Sequence, residues 1–296
     1  MIIDAHVHLW KRQDGIVGGK PVFSVGNGKS DFGGEIRQML PPYMLNGENT
    51  ADMLLSNMDL ARVSGAVAVQ EYIDGNQDAY LFEAKKECGG RLKVCSLYED
   101  YKAYDPTSLF SDGFDGVKIC AGRLEDQDLT AITRVFEDAD RHGRFIAIDL
   151  ADGERQTDAL KEIATSLPSL KIAIGHFGMV TREKWQAQIK LARLKNVFIE
   201  SGGITWLFNE EFYPYPSAIR AIKEAADICG IEKLMWGSDY PRTMTAITYK
   251  MSYDFISRSP ALTEREKSLF LGENAKEFYR FGELNVPPRI KTMVDN

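Results

Sequence analysis

Two histidines, His6 and His8, lie two positions apart in the opening run Ile2-Ile3-Asp4-Ala5-His6-Val7-His8-Leu9-Trp10. On a strand that spacing turns both rings to one face. Two imidazoles converging at a strand end form half of a metal or proton-transfer site, although a structural pair has the same spacing. The test is whether other segments bring matching groups to the same mouth. Candidates stand at the ends of later apolar runs: Gln70 and Glu71, Lys118, Asp149, His176, Glu200 and Ser201, and Ser238 and Asp239. Arg123 and Arg242 follow in the adjoining loops. Lys118 interrupts an apolar run, and a buried charge costs several kcal/mol unless paired, so a functional or ion-paired role is expected. Taken alone, Asp149 also fits a helix N-cap. His176 also fits a core histidine, Asp239 a plain turn, and both arginines a solvated loop. His142, before Gly143 at a helix end, is assigned no function.

The elements that must position these groups alternate along the chain. Apolar runs at 2–9, 65–70, 92–97, 116–120, 145–149, 171–176, 197–201 and 233–239 read as strands buried on both faces. Most are followed by a segment of helical periodicity. Eight strand–helix units predict an α/β fold, a (β/α)8 TIM barrel, as one domain over residues 1–296. The chemistry of such barrels sits where the strands end. A doubly wound open sheet is the runner-up, but no Gly-x-Gly-x-x-Gly follows the first strand. The glycine-rich segment 11–49 reads as a lid-like insertion after strand 1, with a plain surface insertion as the alternative. Two short helices, 263–271 and 273–281, are expected to close the chain.

Composition narrows the partners. The net charge is −7 and the pI about 5.3, which disfavours nucleic acid. A local arginine cluster can still hold a small anionic substrate. No apolar run approaches the roughly 18 residues that span a bilayer, and Met1 runs directly into a strand without a secretory leader. The four cysteines are widely spaced and read as buried free thiols. Of these, Cys120 lies just past a strand end and is the one considered as a nucleophile. A cytoplasmic protein, without membrane contact and pairing as a homodimer, is the expectation.

Asp4-Ala5-His6-Val7-His8-Leu9-Trp10, Gly175-His176-Phe177-Gly178 and Trp236-Gly237-Ser238-Asp239-Tyr240-Pro241 resemble the amidohydrolase superfamily. The likeness is to its amidohydrolase-related branch, which holds sugar and pyrone lactonases beside decarboxylases of aromatic and muconate-type acids. Val69-Gln70 and Ile148-Asp149-Leu150 lean towards the lactonases. The resemblance implies one divalent metal, zinc or manganese, held by His6, His8 and Asp239, with His176 or Asp149 as the alternative for a further ligand. Asp149 stands where metal-dependent members carry a histidine, and Lys118 is the one candidate for a carboxylated lysine, so a two-metal centre is not expected. The branch includes metal-free members, so a metal-free mechanism stays open.

The implied reaction is hydrolysis of a lactone or ester of a small carboxylate. Asp239 would be the general base, with His176 and Lys118 stabilising the oxyanion. Gln70, Arg123, Asp149, Arg242 and Trp206 would hold the substrate, the arginines through its carboxylate. Trp206 belongs to an aromatic loop with Phe208, Phe212, Tyr213 and Tyr215, for which plain packing is the alternative. A metal-dependent, non-oxidative decarboxylase is the second expectation, and a degenerate barrel acting as a binding module the third.

Overall fold

The computed structural model describes residues 1–293 and 295. Its strands are β1 (Ile3–Val7), β2 (Asp14–Val17), β3 (Lys20–Gly26), β4 (Lys29–Phe32), β5 (Ile36–Gln38), β6 (Gly65–Ala68), β7 (Leu92–Leu97), β8 (Gly116–Ile119), β9 (Phe145–Ile148), β10 (Ile172–Ile174), β11 (Val197–Glu200) and β12 (Leu234–Met235). The apolar strands β1 and β6 to β12 form one eight-stranded sheet in chain order, paired in parallel. Ala5 N–H donates to Trp236 O (2.9 Å), His8 N–H to Tyr240 O (2.8 Å) and Asp239 N–H to His6 O (3.0 Å), which joins the first strand to the last. The result is the expected (β/α)8 barrel.

Helices pack outside the strands, among them α1 (Ala51–Ala61), α2 (Asp78–Cys88), α4 (Thr133–Arg141), α5 (Thr157–Ser166) and α8 (Pro216–Cys229), the short α3 (Pro106–Leu109), α6 (Gln186–Leu191) and α7 (Ile204–Leu207) lying between them and α9 (Met251–Ser257) following. Their apolar faces and the outer strand faces make one large cluster that includes Leu54, Met58, Phe136, Ile163 and Ile222. Inside the barrel, Ile3, Val67, Cys95, Ala147, Ala173 and Met235 pack with Phe278 and Tyr279. The C-terminal helix therefore plugs the end opposite the strand C-termini. No helix among the described residues is long and apolar enough to cross a membrane.

Two expectations change. The closing helices do not separate at Gly272. Starting from a capping box between Thr263 and Glu266, α10 (Glu264–Ser268) passes through a π turn (Leu269–Glu273) into α11 (Asn274–Phe278). A Cβ on Gly272 would lie 2.5 Å from the Met1 carbonyl oxygen, so this glycine permits a close approach to the start of β1. The insertion, in turn, is no loop. Residues 14–38 form an antiparallel meander, β2-β3-β4-β5. Its turns use Gly18-Gly19 (φ 55° and 74°) and Asn27-Gly28 (φ 53° and 69°), pairs with both φ positive that suit two-residue hairpin turns.

The meander is docked by its first strand. Ile16 N–H donates to Tyr72 O (2.9 Å), and Asp14 N–H to Asp74 O (3.3 Å), on the loop after β6. A Cβ on Gly15 would stand 2.3 Å from Ile73 O, so the two backbones meet with no room for a side chain.

Candidate active site

The C-terminal end of β1 and the segment that follows β12 bring three groups together. His6 Nε2 lies 3.0 Å from His8 Nε2. Asp239 Oδ1 lies 3.1 Å from His8 Nε2 and 3.8 Å from His6 Nε2. All three side chains are buried. The other ring nitrogens face carboxylates: His6 Nδ1 is 2.7 Å from Glu200 Oε1, and His8 Nδ1 is 2.7 Å from Asp74 Oδ2. Those carboxylates favour protons on Nδ1, which leaves each Nε2 a lone pair turned to the other and to Asp239.

Burial holds the His6 pKa below its ordinary value, despite Glu200. For His8, burial and Arg242 pull down, but Asp74 and Asp239 outweigh them and the value rises. Burial would raise Asp239, but His8, Arg242 and His6 hold it far below the usual carboxylate range. Its second oxygen accepts from Trp206 Nε1 at 2.8 Å. Asp239 itself has φ 58° and His176 φ 52°, left-handed values that cost a non-glycine residue about 1–3 kcal/mol and are tolerated where surrounding contacts fix the backbone.

Beside this triangle runs a second chain of charge. Lys118 Nζ is 2.6 Å from Asp149 Oδ2, and His176 Nε2 is 3.5 Å from the same oxygen. Burial would lower the Lys118 pKa, but Asp149 holds it above the ordinary value. Lys118 is thus an ion-paired ammonium, and the free amine that carboxylation needs is not favoured. Burial would likewise lower His176, yet Asp149, then Asp239 and Glu200, raise it to about 9. Its Nδ1 faces Gly202 O at 2.9 Å, so both ring nitrogens are engaged outside the triangle.

A cavity of about 720 Å3 opens over these groups. Asp149, His176, Trp206, Asp239 and Arg242 line it, as does Arg123. Arg123 Nε pairs with Glu71 Oε1 at 2.6 Å yet keeps much of its side chain exposed. Arg242 is more committed, with Nη2 at 2.5 Å from Asp74 Oδ1 and Nη1 at 3.4 Å from Asp239 Oδ1. Val17, Phe32, Arg37, Gln38 and Met39 of the insertion form one wall.

The structure moves two expected residues away from the cavity. Gln70 spends its carboxamide on the fold: Nε2 donates to Asp78 Oδ1 (2.6 Å) and Cys95 O (2.8 Å), and Oε1 accepts from Gln77 N–H (2.7 Å). It ties β6 to the start of α2 and does not line the cavity. Lys118 lies beneath Asp149, fully buried, and reaches the cavity only through that partner. Trp206 gains a part that composition did not suggest, as a hydrogen-bond donor to Asp239. Of the remaining aromatics, Tyr215 packs edge-on against Phe255 at 5.5 Å and Phe212 is exposed. Cys120 lines the cavity, but burial pushes its thiol well above its ordinary pKa, which suppresses the nucleophilic thiolate. Asp74 was missed, because Tyr72-Ile73-Asp74-Gly75-Asn76 has the composition of an ordinary turn.

The donor triangle fits a small divalent cation. Bonds of about 2.0–2.2 Å in a tetrahedral site place neighbouring donors about 3.3–3.6 Å apart, close to the spacings found. His6, His8 and Asp239 are the group of potential ligands that the described residues offer. Three lone pairs facing one another repel unless a cation or a shared proton lies between them. The carboxylates behind both histidines are the outer partners that metal-binding imidazoles generally have.

A barrel with a histidine–histidine–aspartate centre at its strand ends defines a class that comparison narrows. The chain belongs to the amidohydrolase family, whose model matches residues 3–281. No curated protein matches it in sequence. Its fold is similar to that of a probable 2-pyrone-4,6-dicarboxylic acid hydrolase from Acinetobacter baumannii with citric acid bound, at 19% identity and a TM-score of 0.65, covering 95% of this chain and 99% of that one. An amidohydrolase from Burkholderia multivorans with bound zinc is similar to the same degree, at 19% identity and a TM-score of 0.65 over 95% and 100% of the two chains. The 5-carboxyvanillate decarboxylase of Sphingomonas paucimobilis is more distant, at 16% identity and a TM-score of 0.54 over 77% and 82%.

Proposed function

We propose that this chain is a hydrolase that opens a lactone, or cleaves an ester, of a small carboxylic acid. One divalent cation would be held by His6, His8 and Asp239. The observation that carries the reading is the triangle of two imidazole nitrogens and a carboxylate oxygen, backed by carboxylates and opening into a cavity that arginines line. A metal bound there would acidify water and polarise a carbonyl.

The chain's own groups account for the rest. Arg123 offers its exposed guanidinium edge to the substrate carboxylate, with Arg242 behind it. The Trp206 N–H fixes one Asp239 oxygen, so the other faces the histidines and the reacting centre. Asp239, ionised at working pH, accepts the proton of the attacking water and returns it to the departing alkoxide. His176, carrying its proton at neutral pH, supplies positive charge to the developing oxyanion, and the Lys118–Asp149 pair holds it in place.

The experiment is metal analysis of the purified protein, followed by a pH-indicator screen of lactones of mono- and dicarboxylic acids. Acid release that falls with a chelator and returns with zinc or manganese supports the reading. Carbon dioxide release from an aromatic acid, with no lactone opened, would replace it by the decarboxylase.

A further inference from the structure

We propose that Asp74 is the positioning residue of the centre and ties it to the β2–β5 meander. The proposal deepens the metal-site reading and rests on it for its first measurement. Each carboxylate oxygen of Asp74 serves a different part of the site: Oδ2 meets His8 Nδ1 at 2.7 Å and Oδ1 meets Arg242 Nη2 at 2.5 Å. Arg242 in turn reaches Asp239 Oδ1 at 3.4 Å. One buried side chain thus sets a histidine directly and the aspartate through an arginine.

The same residue is gripped from the other side. Its carbonyl accepts from Asp14 N–H (3.3 Å) and from Gln77 Nε2 (2.9 Å). The neighbouring carbonyls of Tyr72 and Ile73 accept from Ile16 N–H (2.9 Å) and Gln13 Nε2 (3.0 Å). Gly75 has φ 76°, and a Cβ there would stand 2.1 Å from Asp14 O; the same addition at Gly15 would strike Ile73 O. Two glycines facing across one contact leave the backbones nowhere to slide. The loop carrying Asp74 therefore takes its position from the insertion, and His8 takes its orientation from Asp74. The insertion that walls the cavity also braces the chemistry beneath it.

Zinc ion is the probe, titrated into the full-length chain against a chromophoric chelator. Asp74→Asn keeps the shape but turns an amide N–H towards His8 Nδ1–H. We expect zinc affinity to fall about 10- to 100-fold, the usual loss when an outer partner of a metal-bound histidine is removed, while the thermal transition persists. Gly15→Ala touches no site residue, yet it should loosen the meander to proteolysis and lower zinc affinity in parallel. Wild-type affinity in folded Asp74→Asn overturns the positioning role. Wild-type affinity in Gly15→Ala with a released meander overturns the coupling.

A second measurement needs no metal. The chain has four histidines, so 15N-histidine spectra resolve His8. Its proton should sit on Nδ1 in the wild type and leave Nδ1 in Asp74→Asn; an unchanged His8 pattern overturns the proposal. Should the wild type bind no zinc, the metal reading fails, and these spectra decide the part of Asp74 on their own.

Discussion

At the scale of single residues, the proposed chemistry concentrates in Asp239. Asparagine there keeps the size and tolerates a left-handed backbone, but it cannot take up a proton. Asp239→Asn is expected to lose at least about 10³-fold in kcat while still folding cooperatively, somewhat beyond the usual share of a positioned acid–base group because a ligand is lost as well. Near-wild-type turnover would remove Asp239 from the base role. His142, exposed and stacked on Phe110 at 5.1 Å, is the control, and His142→Ala should leave kcat/KM within about twofold. The Lys118–Asp149 pair yields a stability test. Lys118→Met removes the buried ammonium from Asp149, which keeps His176 and the open cavity beside it, and should cost about 1–3 kcal/mol, whereas the double variant Lys118→Met/Asp149→Leu should recover part of that loss. Chemical denaturation of the single and double variants measures the difference. His6, His8, His176 and Asp239 were legible in the sequence because imidazoles and a carboxylate at strand ends have few structural uses. Gln70 was misread because a carboxamide at a strand end serves a substrate and a backbone equally well. Asp74 was invisible because its partners, His8 and Arg242, are distant in sequence and its own neighbours spell a turn.

At the scale of elements, the barrel strands announced themselves as apolar runs because they are buried on both faces. Their ends were less legible. The last strand was expected to reach Asp239, but its regular ladder with β11 covers only Leu234–Met235, and beyond it Ser238 turns aside to donate from its backbone N–H to Asp4 Oδ1 at 2.8 Å while Asp239 adopts a positive φ. The meander was hidden for another reason. Its strands are three to seven residues long and half-exposed, so neither periodicity nor an unbroken apolar run marks them. Its turns carry the information, and the Asn27-Gly28 turn is the place to test it. Gly28 has φ 69°, and a Cβ would lie 2.4 Å from Leu40 O. Gly28→Val should therefore break the β3–β4 hairpin. We expect cleavage by a nonspecific protease between residues 20 and 38, a several-fold rise in KM for the lactone, and a barrel transition within about 1 kcal/mol of wild type. An unchanged KM alongside a cleaved hairpin would show that the meander does not shape the cavity wall.

At the scale of the whole molecule, the buried charges of the site set how stability responds to pH in the metal-free protein. Asp74, Asp149 and Asp239 are all held below their ordinary values once folded. A depressed carboxylate contributes stability that is complete above its unfolded pKa, near 4, and is lost as pH falls towards the folded value. Acid should therefore unfold the chain steeply below about pH 4. Asp4 and His176 act in the opposite direction. Burial, opposed by hydrogen bonds from Ser238 and Tyr249, pushes Asp4 up to about 7, so between about pH 4 and 7 the folded state binds the extra proton and stability declines as pH rises. His176, raised to about 9, continues that decline from about pH 6.5 to 9. The melting temperature in chelator should accordingly peak near pH 4–5 and fall on both sides. His176→Gln removes its share of the alkaline contribution and should make the limb above pH 7 shallower, with the remainder due to His8, whose pKa is also raised, leaving the acid limb in place. Thermal melts at unit intervals from pH 3 to 9 distinguish the outcomes. A curve that keeps rising through pH 8 in the wild type would mean that His176 is neutral in the folded barrel, and its role as a positive partner for the oxyanion would fall with it.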